Sequence, residues 1–298
     1  MLDVRRLRLL HDLNRLGTIA AVAEARAYTP SAVSQQLAVL EREAGVALLE
    51  RTGRSVALTP AGRVLVRHAE TVLGALEEAT AAVAAVRTGP AGPVRIGAFP
   101  SAMRALLPRA LVMLGRQHPA LELTLIELDP AAVPAALHDR SLDVGLLHDY
   151  DVVPAEVDPA LDWVPALQEK VFLAEPSTTA TGDVAATATT DWILATPGTL
   201  CHEVMIRVCR AAGFAPRGRH HADDFAAILA LVAAGQGVAL VPELAAASAP
   251  TGVHLTALDS RRRTRIAFRR GAASHPAVAA VVTALTVIAR EHAMSGEG

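Results

Sequence analysis

Between Thr59 and Arg87 the chain carries apolar residues at Leu65, Ala69, Val72, Leu76, Ala79, Val83 and Val86, alternating in steps of four and three. A seam sustained for about three heptads belongs to one long helix whose apolar stripe pairs with another helix. Pro60 suits the first turn of that helix, and Thr88-Gly89-Pro90-Ala91-Gly92-Pro93 breaks it and acts as a linker. The helix divides the 298 residues into a head and a body, and the two differ in pattern and in charge. Residues 1–68 hold ten arginines against six acids, whereas the rest holds 18 basic against 24 acidic groups, so the net charge of −2 hides a basic head on an acidic body. That polarity suits a head that meets a polyanion.

In the head, Leu7, Leu10 and Leu13 predict a helix over 2–16, stopped by Gly17, and Thr18 caps a short second helix that ends at Tyr28. Thr29-Pro30-Ser31 opens a third helix, through about Glu43, ended by Gly45. It buries Val33, Leu37, Leu40 and Ala44 and turns Ser31, Ser34, Gln35 and Gln36 outward, a face that is polar without being charged. "VALLERTGRSVALTPAG", 46–62, reads as strand, turn at Thr52-Gly53, and strand. Three helices and a hairpin make a winged helix-turn-helix. A helix of the third kind fits a DNA major groove. Short side chains let its backbone approach base edges, Gln35 or Gln36 can pair with adenine N6 and N7, and its first turn aims free N–H groups at phosphate.

The body alternates. Strands at 94–99, 121–128 and 142–147 are separated by helices at 101–119 and 130–140. A second set follows: strand 163–176, strand 191–196, helix 199–212, strand 217–221, helix 223–234 and strand 237–242. A strand at 264–270 and a helix at 276–292 close the chain, and 177–190 reads as a surface loop. Alternation of this kind predicts a parallel sheet in an α/β fold.

"AAVAEARAYTPSAVSQQL", "LLERTG" and "LTPAG", all within residues 17–62, resemble the N-terminal signature of LysR-type transcriptional regulators. The likeness extends over the whole chain, because a linker helix and an α/β half follow in that family's order. Two positions depart from the pattern. Leu49 stands where the family has Phe, and Ala25-Arg26-Ala27 replaces a Leu-containing step, which predicts a poorly packed second helix. The resemblance implies a multi-domain α/β protein: a winged helix-turn-helix over 1–60, a dimerising linker helix over 61–89, and a two-lobed effector domain like a periplasmic binding protein. Lobe I would take 90–162 and 265–298, and lobe II 163–264. By position it assigns DNA contact to Thr29, Pro30, Ser31, Ala32, Ser34 and Gln35, with Arg51 and Arg54 of the wing on phosphate or in the minor groove. The implied partners are double-stranded promoter DNA, a small-molecule effector, a second copy through the linker helix, a homotetramer, and RNA polymerase. Metal, cofactor and catalytic residues are not expected.

Ligands of such lobes sit where strand ends meet helix starts. Phe99, Pro100, Ser101 and Ala102 follow one strand, and Thr196, Pro197, Gly198 and Thr199 follow another; His148, Asp149 and His221 follow others. Helix starts favour an anion, although Ser101 and Thr199 could equally cap their own helices. No arginine stands close after either turn except Arg104, so a small monocarboxylate is expected, with Phe99 and Leu200 as apolar wall.

Other classes fit less well. One branch of the family senses peroxide through a cysteine pair, and Cys201 with Cys209 offers that alternative. On a helix the two lie ~12 Å apart along the axis, too far for a disulfide without unfolding. A metal site from Cys201, His202, His220 and His221 is disfavoured because neighbours on a strand point to opposite faces. An enzyme would need a nucleophile elbow or a Gly-rich phosphate loop, and "RIGAFPSAM" has the spacing of neither. A transport binding protein would need an export signal, which the N-terminus lacks. Hydrophobic residues make up 52% and mean hydropathy is +0.33. The longest apolar run, 225–235, is well short of the roughly 20 residues of a membrane span. A cytoplasmic location is therefore expected.

Overall fold

The computed structural model describes residues 1–52, 55–86, 89–153 and 158–296. In the head, Asp3 caps α1 (Val4–Leu16) by accepting from the backbone of Arg5 and Arg6, and Gly17 ends it in the left-handed region. Thr18 caps α2 (Ile19–Ala25) and Thr29 caps α3 (Pro30–Ala44). β1 (Leu49–Thr52) and β2 (Ser55–Leu58) pair antiparallel as the wing. Glu41 steadies the entry to the wing by accepting from Leu48 N and Leu49 N at 2.9 and 3.0 Å. The second helix is better packed than expected. Val22 and Ala23 are buried, and Arg26 grips Asp12 of α1 through Nε at 2.6 Å and Nη2 at 3.1 Å. The arginine that breaks the family pattern thus ties α2 to α1.

α4 (Pro60–Ala85) leaves the wing where Gly62 passes Leu48 so closely that a Cβ would collide with the Leu48 carbonyl. Its heptad seam divides. Leu65 and Ala69 pack into the head core, while Val72, Leu76 and Val83 are 38%, 42% and 73% exposed. Another face docks on the body, where Glu77 accepts from Arg140 Nη2 at 2.6 Å and Arg269 Nε at 3.1 Å.

The body runs β3 (Gly92–Ala98), α5 (Pro100–Ala105), α6 (Leu107–Gln117), β4 (Leu121–Glu127), α7 (Val133–His138), β5 (Val144–Tyr150), β6 (Leu161–Pro176), β7 (Asp191–Leu194), α8 (Leu200–Ala211), β8 (Arg217–His221), α9 (Phe225–Ala233), β9 (Ala239–Pro242), α10 (Glu243–Ala246), β10 (Val253–Arg269) and α11 (Pro276–Gly296). The sheet is mixed rather than parallel, in the order β4-β3-β5-β10-β6-β9. β3 is parallel to β4 and β5, but β10 is antiparallel to both β5 and β6. β7 and β8 form a separate parallel pair, bridged from Trp192 to Val238 beside β9. β6 and β10 run 16 and 17 residues through both halves of the body.

Three expectations are corrected here. The strand expected at 264–270 is the end of one that starts at Val253, since charged residues along "DSRRR" hide its alternation. The helix expected over 101–119 is interrupted at Leu106, just before Pro108, and becomes α5 and α6. Lastly, Pro276–Met294 has the length and composition of a membrane span, which an unbroken apolar run does not reveal. It lays Val281, Leu285 and Ile288 into the core beneath β3, β5 and β10.

Head and body also touch through two histidines. The His11 ring of α1 lies 5.7 Å from the His138 ring of α7, and His138 Nε2 is 2.8 Å from Asp158 Oδ2.

Candidate functional site

The first candidate surface is α3. Its buried stripe, Val33, Leu37 and Leu40, fixes which residues face out. Thr29, Pro30, Ser31, Ser34 and Gln35 are exposed and Ala32 is half-buried. The Thr29 hydroxyl accepts from Ala32 N at 3.2 Å and lies 3.0 Å from Ser31 Oγ, so these side chains complete the first turn as well as lining it. Gln36 accepts from Arg6 Nε at 2.9 Å, which leaves Gln35 as the outward amide. Arg54 lies outside the described residues, as does the side chain of Arg51.

The second candidate is a cavity of about 600 Å³ between the two halves of the body. The middle of the crossing strands forms one wall. Arg262 of β10 stands opposite Glu169 of β6 in the strand register, and opposite Tyr150 of β5 on its other side. Arg262 has no exposed surface and Glu169 is 3% exposed. Glu169 Oε1 accepts from Arg262 Nε at 2.8 Å and sits 2.8 Å from Nη2; its Oε2 accepts from Leu244 N at 2.7 Å. Arg262 Nη2 also donates to Ser101 Oγ at 3.1 Å, and the guanidinium lies 4.9 Å over the Phe99 ring. Nη1 has no partner among the described residues. Burial is the largest single influence on Arg262 and opposes its charge, but Glu169, with Tyr150 and Cys201, holds the pKa above its ordinary value.

His148 stands beside this pair. Its ring meets Phe99 edge-on at 4.8 Å and Tyr150 at 5.5 Å. Burial first, and Arg262 second, push its pKa well below the usual range, so the ring is neutral. Its Nδ1 has no partner among the described residues. Burial raises the Tyr150 and Cys201 groups, which lie 3.6 Å apart, oxygen to sulfur.

Of the residues singled out from sequence, the cavity lining brings together Phe99, Pro100, Ser101, His148, Asp149, Gly198 and Thr199. Ala102 is packed in the core beneath, and Thr196, Pro197 and His221 lie outside the lining. Thr196 is engaged by Asp223, through its N–H at 2.8 Å and its hydroxyl at 2.6 Å. Thr199 caps α8, accepting from His202 N at 3.2 Å and donating to Thr196 O at 2.8 Å. Ser101, in contrast, caps nothing, because Phe99 is the N-cap of α5 and makes no side-chain bond there. Asp149 is 2.7 Å from Arg263 Nε and 2.5 Å from Arg265 Nη2.

Sequence reasoning does not find Arg262, Glu169, Arg265 or Trp163, although a signal exists. Arg262 is in phase with Thr264, Ile266 and Phe268 on an alternating strand, and Glu169 with Leu167, Val171 and Leu173; each charge occupies a core-facing slot. Arg104 is the arginine that follows these turns in sequence, and Arg262 reaches Ser101 from 161 residues away. Among the described residues, no three His, Cys, Asp or Glu are grouped to hold a metal ion.

A family model described as "LysR substrate binding domain" matches residues 87–287, and one described as "Bacterial regulatory helix-turn-helix protein, lysR family" matches residues 4–63. The chain is similar to the transcriptional dual regulator GltC of Bacillus subtilis, 28% identical over 244 residues and 81% of each chain. It is similar to a probable hydrogen peroxide-inducible genes activator of Streptomyces viridosporus, 32% identical over 294 residues, 91% of this chain and 92% of that one. Among solved structures, a mutant OxyR of Corynebacterium glutamicum superposes with a TM-score of 0.60 at 23% identity, over 99% of this chain and 94% of that one, a likeness of fold.

Proposed function

The chain belongs to the LysR family of transcriptional regulators, and from that premise we propose how its parts divide the work. It is a DNA-binding regulator with an effector domain, and regulators of this family bind promoter DNA and small-molecule effectors. In our reading, residues 1–60 read DNA, 61–89 link and dimerise, 90–162 with 265–298 form lobe I, and 163–264 form lobe II. The observation that carries the DNA assignment is the outward face of α3, from Thr29 to Gln35, polar, uncharged and exposed above a fully buried stripe. Arg51 and Arg54, placed in the wing by sequence, are assigned to phosphate or the minor groove. The exposed Val72, Leu76 and Val83 suit pairing with a second copy, and the assembled form is a homotetramer in the cytoplasm that meets RNA polymerase at its promoter. The cavity holds a small organic effector, and the protein turns over no substrate.

The His11–His138–Asp158 contact supports communication between the two ends. Asp158 lines the cavity, and His138 joins it to the first helix of the head.

A peroxide-sensing reading through Cys201 and Cys209 draws on the names of relatives. The thiols favour it less. Both sit on α8, eight residues apart, and burial raises both, Cys209 to about 12, which suppresses the reactive thiolate.

The test is selection of a binding sequence from random duplex DNA, followed by titration of Gln35→Ala on it. Loss of one bidentate base contact weakens specific binding by roughly 1–3 kcal/mol and leaves binding to unrelated DNA unchanged. Equal loss on both duplexes would move Gln35 from base reading to general contact.

A further inference from the structure

The helix starts offer little to an anion: α5 is a six-residue helix with no side-chain cap, the Thr196 hydroxyl is spent on Asp223, and the Thr199 hydroxyl closes back on Thr196 O. The crossing strands supply a different basis. Arg262 lines the cavity with no exposed surface, and two of its nitrogens are engaged by Glu169 and Ser101 while Nη1 has no partner among the described residues. A buried cationic N–H without an acceptor is costly, and an oxygen that fills the position makes a charge-assisted bond. Two further polar groups stand beside it. Ser101 Oγ accepts from Arg262, so its own proton is available to a ligand. His148 has an unpartnered ring nitrogen and also lines the cavity.

The rest of the lining decides what the anion is attached to. Asp149 is occupied by Arg263 and Arg265, Asp158 by His138 and Asp223 by Thr196. Glu127 and Asp129 stand at the rim, both exposed. A second negative charge on the ligand would face those two carboxylates. Most of the remaining lining is apolar, with Trp163 on one side, its ring under Arg265 at 4.3 Å, and Phe225 among the lining residues of lobe II.

We propose that the cavity takes a ligand with one carboxylate, seated against Arg262 Nη1, the Ser101 hydroxyl and the His148 ring, and with an apolar body lying between Trp163 and Phe225. This rests on the reading of the cavity as the effector site.

The experiment uses the full chain and calorimetric titration with 3-phenylpropanoate, octanoate and 2-naphthoate, each beside its primary amide, and with phenylsuccinate as a dicarboxylate. At least one acid binds about tenfold or more tightly than its amide, the factor expected of a hydrogen bond to a charged group, and phenylsuccinate binds more weakly than 3-phenylpropanoate. The double variant Arg262→Met/Glu169→Gln removes both charges together and keeps an acceptor for Leu244 N. Once circular dichroism shows it folded, it binds acid and amide alike. Should it not fold, Ser101→Ala takes its place, and a drop of about threefold or more in the acid preference is expected.

Equal binding of acid and amide by the parent overturns the proposal. So does failure of all three acids to bind, tighter binding of the dicarboxylate, or an acid preference that survives in the folded double variant or in Ser101→Ala. DNA binding by the unliganded parent is measured alongside. If it is present while every acid fails, the anchor is wrong and the regulator reading stands; if it is absent, the regulator reading is what fails.

Discussion

Phe99-Pro100-Ser101-Ala102 and Thr196-Pro197-Gly198-Thr199 each lead from a strand into a helix, and each offers a hydroxyl shortly after a proline. In lobe II the turn is satisfied locally. Thr199 caps α8 and closes back on Thr196, and the nearest outside partner, Asp223, comes from the loop before α9. In lobe I the turn is satisfied from far away: Ser101 accepts from Arg262, 161 residues later in the chain, and Arg262 is balanced by Glu169 on the neighbouring strand. The two turns share a sequence pattern and differ in what holds them. A capping threonine contributes through its own helix, whereas a serine tied to a buried ion pair depends on the two long strands that carry that pair.

The largest test of that difference breaks the distant support. Glu169→Leu leaves Arg262 buried without its counter-ion and strips Leu244 N of its acceptor. Removing one partner of a buried pair costs about 3–5 kcal/mol, and urea unfolding of the full chain is expected to show a loss of that order. Arg262→Met/Glu169→Gln, which removes both charges, loses far less. If the single and double variants unfold together, the ion pair is not what stabilises the first turn.

The second test removes the local support. Thr199→Ala deletes the N-cap of α8 and is expected to cost about 1 kcal/mol, with Thr199→Ser close to the parent. A loss as large as that of Glu169→Leu would mean that the second turn, too, depends on something beyond its own helix.

The same division explains what can be read from sequence. α3 is legible because Thr29, Pro30 and the Val33-Leu37-Leu40 spacing are all local signals, and the structure places the helix there. The wing and α4 are legible for the same reason. The heptad seam reads as one stripe, but Leu65 and Ala69 belong to the head core and only the later turns are left exposed. Nothing local separates those halves; the packing of α1 against the start of α4 does. Arg262 and Glu169 escape a sequence reading because each looks like a surface charge until the two strands are laid side by side. Their pairing joins positions 93 residues apart, and only the alternation phase of each strand carries a hint of burial. Arg26 misleads likewise, since its partner Asp12 lies on another helix.

The smallest effect lies where Arg104 of α5 donates to Asp224 Oδ1, at the start of α9, at 2.9 Å. Both side chains are about half exposed, and pairs of that kind are worth about 0.2–1 kcal/mol. Asp224 also caps α9, accepting from Ala226 N at 3.0 Å. Its pKa is lowered, by the bond from Ala226 first and by Arg104 after that. A carboxylate whose folded pKa lies below its unfolded value of 3.8 adds stability that is present above that value and is lost as pH falls through the folded pKa. Arg104→Ala should therefore change stability little, and less still in about 1 M salt, where the screening length falls to roughly 3 Å. Asp224→Ala should cost more than Arg104→Ala, and the excess should persist in salt, because a cap is a short-range bond. The excess should shrink below the folded pKa, where the parent's Asp224 is itself neutral. A double-mutant cycle in which the coupling of Arg104 to Asp224 exceeds the cost of the lost cap would reverse the order, and would make this link long-range in character, like the first turn rather than the second.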